Sequence, residues 1–99
     1  MTIKILPYQD ETVGKLASAE LHFEDGPLAG LRLLGFEIWL RRDGSRSVTF
    51  PSYTEMENGR RYGVSLLRCT DTIDGQDRLH AQILDAYDAH MAQLKQRKG

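Results

Sequence analysis

The chain has 99 residues, of which 40% are apolar and 27% charged, and its formal net charge is −1. This is the composition of an ordinary globular domain, and it excludes a chain that is disordered throughout. Domains typically occupy about 100–200 residues, so we expect residues 1–99 to form one domain, too short for a nucleotide-binding domain plus a substrate domain.

Cysteine content and apolar runs narrow the class of protein further. The single Cys69 excludes an internal disulfide and a cysteine-rich metal site. The first residues lack the apolar stretch of about 7–15 residues that a secretory signal needs. No apolar run approaches the roughly 18 residues of a membrane span. We therefore expect a cytoplasmic protein that does not bind membranes.

Two short strands are predicted in the first quarter of the chain. Residues 2–6 form a β-like run that ends at Pro7, and residues 9–14 are polar and predict a loop. From residue 15 to residue 24 apolar and polar positions alternate, which indicates a half-buried strand. Its apolar face carries Ala17, Ala19, Leu21 and Phe23. The breaker cluster at residues 25–27 ends this strand.

The next segment predicts a meander built on two hairpin turns. As a strand, residues 31–42 place Leu34, Phe36, Ile38 and Leu40 on one face and Leu33, Gly35, Glu37 and Trp39 on the other. Asp43-Gly44 and Asn58-Gly59 are dipeptides favoured in two-residue hairpin turns. They join the first run to residues 45–53 and then to residues 61–68. Because Pro51 has no amide hydrogen, the middle strand should end there, bulge or lie at an edge.

A change of period after Thr70 predicts a helix. Apolar residues recur there at helical steps: Leu79, Ile83, Tyr87, Met91 and Leu94. Acidic residues precede the stripe and basic residues follow it, as the helix dipole favours. We expect the helix to start between Asp74 and Asp77. The predicted fold class is α+β, an antiparallel meander of about four to five strands with one long C-terminal helix.

Catalytic and metal-binding patterns are absent from the sequence. His22, His80 and His90 do not converge on one helix or strand face, whereas zinc needs three or four convergent ligands. Cys69 has no histidine placed to act as its base. We therefore predict no catalytic residues, no metal, no cofactor and no small-molecule substrate.

Cationic charge is concentrated in the middle of the chain. Residues 31–68 hold seven arginines and no lysine against four acidic residues, a balance of +3. Arginine is suited to phosphate, so these residues are candidates to bind nucleic acid. The candidates are Arg41, Arg42 and Arg46 around the first turn, Arg60 and Arg61 after the second, and Lys95, Arg97 and Lys98 at the C-terminus. On one intact middle strand, the two turn clusters would lie about 30 Å apart. The alternative is that the turn arginines serve solubility, with pairing to Glu55 and Glu57 as one form of it.

Both faces of residues 31–40 are apolar, although one helix can cover only one of them. We expect a second copy of the chain to cover the remainder, which predicts a homodimer. The residues assigned to the dimer interface or core are Trp39, Leu31, Leu33 and Tyr87. Trp39 and Tyr62 could instead stack on bases, but burial of Trp39 under the helix or a partner is favoured.

The order of these motifs resembles the SpoVG family, the stage V sporulation protein G proteins. The matching pieces are an early strand LASAELHF, the strand GFEIW, a DG turn, the strand SVTFPS ending in Pro-Ser, an NG turn and a helix with ILDAY. The resemblance implies a small dimeric bacterial protein that binds DNA and RNA and regulates gene expression in sporulation, septation or virulence. It also implies basic residues just after Pro-Ser. Tyr53, Thr54 and Glu55 occupy those positions, which leaves Arg60 and Arg61 as candidates to replace them.

Three functions follow from these patterns. The first is a nucleic-acid-binding regulator of SpoVG type that contacts phosphates through the turn arginines. The second is a dimeric protein-interaction module of the same fold that does not bind nucleic acid. A small enzyme is the third, and no catalytic pairing favours it.

Overall fold

The computed structural model describes residues 1–8, 14–70 and 74–97. Within these ranges the chain forms six β-strands and one long C-terminal helix, which confirms the predicted α+β class. The elements are β1 (Thr2–Pro7), β2 (Lys15–His22), β3 (Arg32–Leu40), β4 (Arg46–Thr49), β5 (Ser52–Glu57), β6 (Arg60–Ser65) and α1 (Gly75–Arg97). Most of the predicted loop at residues 9–14 lies outside the described residues.

The strands are divided between two antiparallel sheets. Strands β1 to β4 form one sheet in chain order, whereas β5 and β6 pair with each other in a two-stranded sheet. We call the hairpin of β5 and β6, residues 52–65, the ribbon. The predicted continuous meander is therefore interrupted, because the segment expected as one strand at residues 45–53 is shared between the two sheets. Each NG or DG turn nevertheless joins an antiparallel pair.

The interruption falls at Pro51, where the sequence predicts a strand end. Pro51 cannot donate a ladder hydrogen bond, and it is buried against Gly35 of β3. Gly35 has a φ of +102°, and a Cβ added there would lie 2.9 Å from the Cβ of Pro51. A residue with a side chain would therefore be both strained and too close. The amide of Leu66 donates to the carbonyl oxygen of Pro51 at 2.9 Å, which ties the base of the ribbon to the same point.

A bulge beside Gly35 changes which side chains of β3 face the core. Ala19 is opposite Phe36 and Leu21 is opposite Leu33. Between these two pairs β2 has one residue and β3 has two, Leu34 and Gly35, which makes a β-bulge. Leu33 therefore lies on the same face as Phe36, and Leu34 is exposed. The predicted faces are correct for Phe36 and Ile38 but wrong for Leu33 and Leu34, because strict alternation does not pass through a bulge.

The core lies between one face of the four-stranded sheet and α1. The buried residues are Ile5, Ala17, Ala19, Leu21, Phe36, Ile38 and Ile83. The apolar face predicted for residues 15–24 is confirmed, because its first three members are buried and Phe23 packs against them. Leu79 and Tyr87 from the helical stripe pack on the same core. Among the described residues, no helix is long and apolar enough to cross a membrane.

Two polar contacts fix α1 against the edge strand β4. Arg46 donates to Asp88 with both terminal nitrogens of its guanidinium, Nη2 reaching Oδ2 at 3.2 Å. The amide of Val48, which faces away from β3, donates to Nε2 of His80 at 3.3 Å. That bond satisfies an edge-strand donor that would otherwise lack a protein partner. The helix therefore covers one side of the sheet and also shields part of its edge.

Candidate nucleic-acid interface

Arg60 and Arg61 lie at the tip of the ribbon. The turn before them has positive φ at both central residues, 54° at Asn58 and 77° at Gly59, as a type I′ hairpin turn requires. Arg60 is opposite Glu57 in the ladder and Arg61 is opposite Met56. Both arginines are exposed. Within the part of the chain that the structure describes, no carboxylate lies within ion-pair distance of either guanidinium.

The carboxylates of the ribbon are engaged by tyrosines instead. Tyr53 donates its hydroxyl to Oε1 of Glu55 at 3.1 Å, and Tyr62 donates to Oε2 of the same carboxylate at 2.7 Å. Oε2 of Glu57 lies 3.3 Å from the Tyr62 hydroxyl. Because the hydrogen bond to Glu55 favours the protonated phenol, the pKa of Tyr62 is raised above its ordinary value of 10.0. The suggested pairing of the tip arginines with Glu55 and Glu57 is therefore not present.

The ribbon has one acidic face and one face without acids. Cross-strand partners share a face, so Tyr53, Val64, Glu55, Tyr62, Glu57 and Arg60 lie together. The opposite face carries Ser52, Ser65, Thr54, Gly63, Met56 and Arg61. On that second face Arg61 is the charged member, and it is beside the exposed Met56. An anionic partner would meet the carboxylates along the first face, where Arg60 at the tip is the opposing cation, and no carboxylate on the second.

Arg41 and Arg42 form a second exposed cluster at the turn between β3 and β4. The amide of Arg41 donates to the carbonyl of Ser45 at 2.8 Å, which closes the hairpin. Asp43 accepts hydrogen bonds from the hydroxyl and amide of Ser45, at 2.6 Å and 2.9 Å. These bonds lower the pKa of Asp43 below its ordinary value of 3.8. The aspartate thus stabilises the turn, and the two arginines beside it are left exposed to solvent.

Arg46, the third predicted member of that cluster, has a different position. It is opposite Leu40 in the ladder, on the face covered by α1, where Asp88 binds it. Its guanidinium carbon also lies 6.0 Å from the ring centre of Tyr87. Arg46 therefore joins the helix to the sheet, and unlike Arg41 and Arg42 it already has a carboxylate partner among the described residues. The sequence gives no signal for this, because Asp88 is 42 residues away.

The C-terminal cations are only partly described. Lys95 is exposed in the last turn of α1, and Arg97 is the final residue of the helix. Lys98 lies outside the described residues. The predicted spacing of about 30 Å between the two turn clusters assumed one intact middle strand, and the separation of β4 from β5 removes the basis for that estimate.

The four residues assigned to an interface or the core occupy three environments. Leu33 and Tyr87 are half-buried and pack against the core. Leu31 is exposed, just before β3. Trp39 lies on the open side of the sheet, the side opposite α1, and is half-buried among its neighbours there. Burial of Trp39 under the helix is therefore wrong, since the helix covers the other face.

On the open face, the side of the sheet opposite α1, strand pairing brings Lys15 close to Glu37 and Trp39, a cluster that the sequence analysis did not predict. Lys15 is opposite Trp39 and its Nζ lies 2.7 Å from Oε2 of Glu37. The same Nζ lies 4.6 Å from the ring centre of Tyr8. Strict alternation would place Lys15 on the core face with Ala17. An extra residue in β2 places Lys15 on the open face instead. The free-energy cost of burying a lysine could have predicted this from the sequence.

The histidines and the cysteine lie apart from one another. His22 is 2.9 Å from Oε1 of Glu20, and that hydrogen bond is the largest cause of the lowered pKa of Glu20. His80 accepts the amide hydrogen of Val48, and Cys69 is exposed before the helix. In residues 1–8, 14–70 and 74–97, no three potential ligands among His, Cys, Asp and Glu are placed to hold a metal ion.

Comparison with protein-family models, with curated proteins and with solved structures finds no match for this chain. The resemblance to the SpoVG family therefore rests on the order of motifs in the sequence. The geometry defines two exposed arginine pairs and an uncovered sheet face.

Proposed function

We propose that this protein is a nucleic-acid-binding regulator of SpoVG type that contacts phosphates through exposed arginines. One observation carries the proposal: Arg60 and Arg61 stand at the tip of the ribbon, while the nearby carboxylates are hydrogen-bonded to tyrosines. Both guanidinium groups are solvated and have no ion-pair partner among the described residues. They can therefore bind phosphate without first breaking an ion pair.

Arg41 and Arg42 supply the second set of phosphate contacts in this proposal. Lys95, Arg97 and Lys98 add three cations near the C-terminus by sequence. Arg46 is left out because it is bound to Asp88. With a net charge of −1 for the whole chain, attraction to nucleic acid depends on these local clusters. Binding should therefore be weak and should decrease as salt increases.

The proposal includes a homodimer, as the resemblance implies, and a location in the cytoplasm. The ribbon supports it, since an isolated two-stranded hairpin is marginally stable in water and leaves both edges unpaired. All of β5 is exposed, including Met56 at 65% of its surface. A second copy would cover this strand. A molar mass of one chain at micromolar concentration, measured by light scattering, would exclude the dimer.

The test is fluorescence anisotropy with labelled double-stranded DNA and single-stranded RNA, each at several salt concentrations. The variant Arg60→Gln/Arg61→Gln should bind more weakly and with a smaller salt dependence. For each phosphate that the variant no longer neutralises, the slope of log K against log salt should fall by about 0.9 on duplex DNA and by about 0.7 on single strands. An unchanged slope would contradict the phosphate role of these two arginines.

The matched control is Arg68→Gln/Arg78→Gln, which changes the net charge by the same amount. Both arginines are exposed and belong to neither turn cluster nor the open face of the sheet, and Arg78 lies 3.8 Å from Asp74. If the effect at the ribbon tip is local, the control should retain most of the wild-type affinity. Equal losses in both variants would mean that only net charge matters.

A protein-interaction module is the second candidate function. The apolar exposure of the ribbon and its base supports it, since Met56 and Leu66 are 65% and 55% exposed. This function predicts that the arginine variants behave like wild type, and that Met56→Ser weakens association. Absence of binding to either nucleic acid at low salt would favour it over the regulator.

A further inference from the structure

The side of the four-stranded sheet opposite α1 is uncovered in the described chain. Pairing places on this open face the side chains that alternate with the core residues: Thr2, Lys4, Leu6, Lys15, Ser18, Glu20, His22, Arg32, Glu37, Trp39, Ser47 and Thr49. Most of them are polar, and Trp39 is the large aromatic among them. Tryptophans that pack in a core are largely buried, so a tryptophan on a polar, uncovered sheet face indicates a role other than core packing.

Trp39 is held in one orientation on this face. Its Nε1 donates to the hydroxyl oxygen of Thr49 at 3.3 Å. Thr49 is on the neighbouring strand and is opposite Glu37, two residues before Trp39. The indole therefore reaches from β3 to the neighbouring strand β4. A ring fixed in this way is a preformed surface on which a planar group can stack.

The charges on the open face favour an anionic partner. It carries three cations, Lys4, Lys15 and Arg32, against two carboxylates. Glu37 lies 2.7 Å from Lys15, and Glu20 lies 2.9 Å from His22 and 3.5 Å from Arg32, so Lys4 is the cation of this face that has no ion-pair partner among the described residues. The exposed Arg41 follows Trp39 by two residues, which is about 7 Å along a strand. Among the described residues, Arg41 is thus a cation near the indole in sequence that has no ion-pair partner.

We propose that this open face binds single-stranded nucleic acid, with one base stacked on Trp39 and an adjacent phosphate contacted by Arg41. The inference rests on the proposed function and adds the form of nucleic acid. Bases in a duplex are already stacked on their neighbours, so a ring lying on a flat sheet cannot reach their faces. Unpaired bases can stack on it whatever their sequence.

The intrinsic fluorescence of the protein provides a direct test, because Trp39 is the single tryptophan of the chain. The probe is an oligothymidylate of about 12 nucleotides, within the roughly 4–16 nucleotides that one strand-binding surface occupies. A duplex of the same length is titrated in parallel at low salt. We expect the single strand to quench Trp39 fluorescence and the duplex to leave it nearly unchanged.

Substitutions separate stacking from structural effects. Trp39→Leu should bind the single strand about 5- to 150-fold more weakly, the range expected for loss of one base–aromatic stack. Trp39→Phe should retain most of the affinity, and circular dichroism checks that both variants are folded. The variant Arg68→Gln/Arg78→Gln should show wild-type quenching, because its substitutions lie outside the open face and outside both turn clusters.

Two results would overturn the inference. Anisotropy that reports binding of the labelled single strand without quenching, or with equal quenching by the duplex, would refute stacking on Trp39 and leave the proposed function intact. Absence of binding to both probes at low salt would refute the inference and the proposed function together, and would favour a protein as the partner of this face.

Discussion

Gly35→Ala tests whether the junction between the two sheets depends on a close backbone approach. The substitution places a side chain at a φ of +102°, which costs about 1–2 kcal/mol for a residue other than glycine. It also places a Cβ 2.9 Å from the Cβ of the buried Pro51, and overpacking of this kind costs about 1–3 kcal/mol. We therefore expect the free energy of unfolding to fall by about 2–5 kcal/mol. For a domain of this size the total is about 5–15 kcal/mol.

Gly30→Ala is the matched control because it isolates the backbone contribution. Gly30 has a φ of +85°, and a Cβ added there would meet nothing within 4 Å. It should lose about 1–2 kcal/mol, and Gly35→Ala should lose more. Urea unfolding measures both values, and the midpoint of thermal unfolding should fall by at least about 8 °C for Gly35→Ala. Equal losses in the two variants would refute a steric role for Pro51.

Two further predictions concern ionisable groups. The hydrogen bond from Arg46 lowers the pKa of Asp88 below 3.8, so its stabilising effect is complete above that value and is lost as the pH falls through the lowered pKa. Asp88→Asn should have a lower free energy of unfolding than the wild type at neutral pH and should lose less of it as the pH falls. Urea unfolding from pH 7 to pH 2 measures this, and a pH profile identical to that of the wild type would contradict the reasoning. Glu55→Gln removes the charged acceptor of the Tyr62 hydroxyl, so the pKa of Tyr62 should fall towards 10.0. A spectrophotometric titration measures this, and the same titration of Tyr62→Phe identifies the contribution of Tyr62.

Local patterns were sufficient to predict the elements and much of the core. The alternation at Ala17, Ala19 and Leu21 follows from the pleat of a single strand, and the stripe through Ile83 follows from the turn of a single helix. Neither pattern depends on a distant residue. The positive φ values at Asn58 and Gly59 are likewise a local property of the NG dipeptide.

The errors arose where a distant partner decides the local structure. The bulge at Gly35 exists where Pro51 approaches it, and it moves Leu33 to the core face. The role of Arg46 depends on Asp88, which is distant in the sequence. Periodicity contains no information about such pairs. For the candidate site, sequence alone could therefore nominate the arginines but could not tell which were already paired.

Strand geometry explains why neighbouring arginines have different roles. Arg46 is opposite Leu40, on the face that α1 covers, and a carboxylate of the helix binds it there. Arg41 lies beyond the end of β3, in the turn, and is exposed. A cation on the strand face under the helix therefore stabilises the fold, whereas a cation in the turn remains available to a ligand. Both proposals follow from this division, because each uses arginines that the helix does not reach.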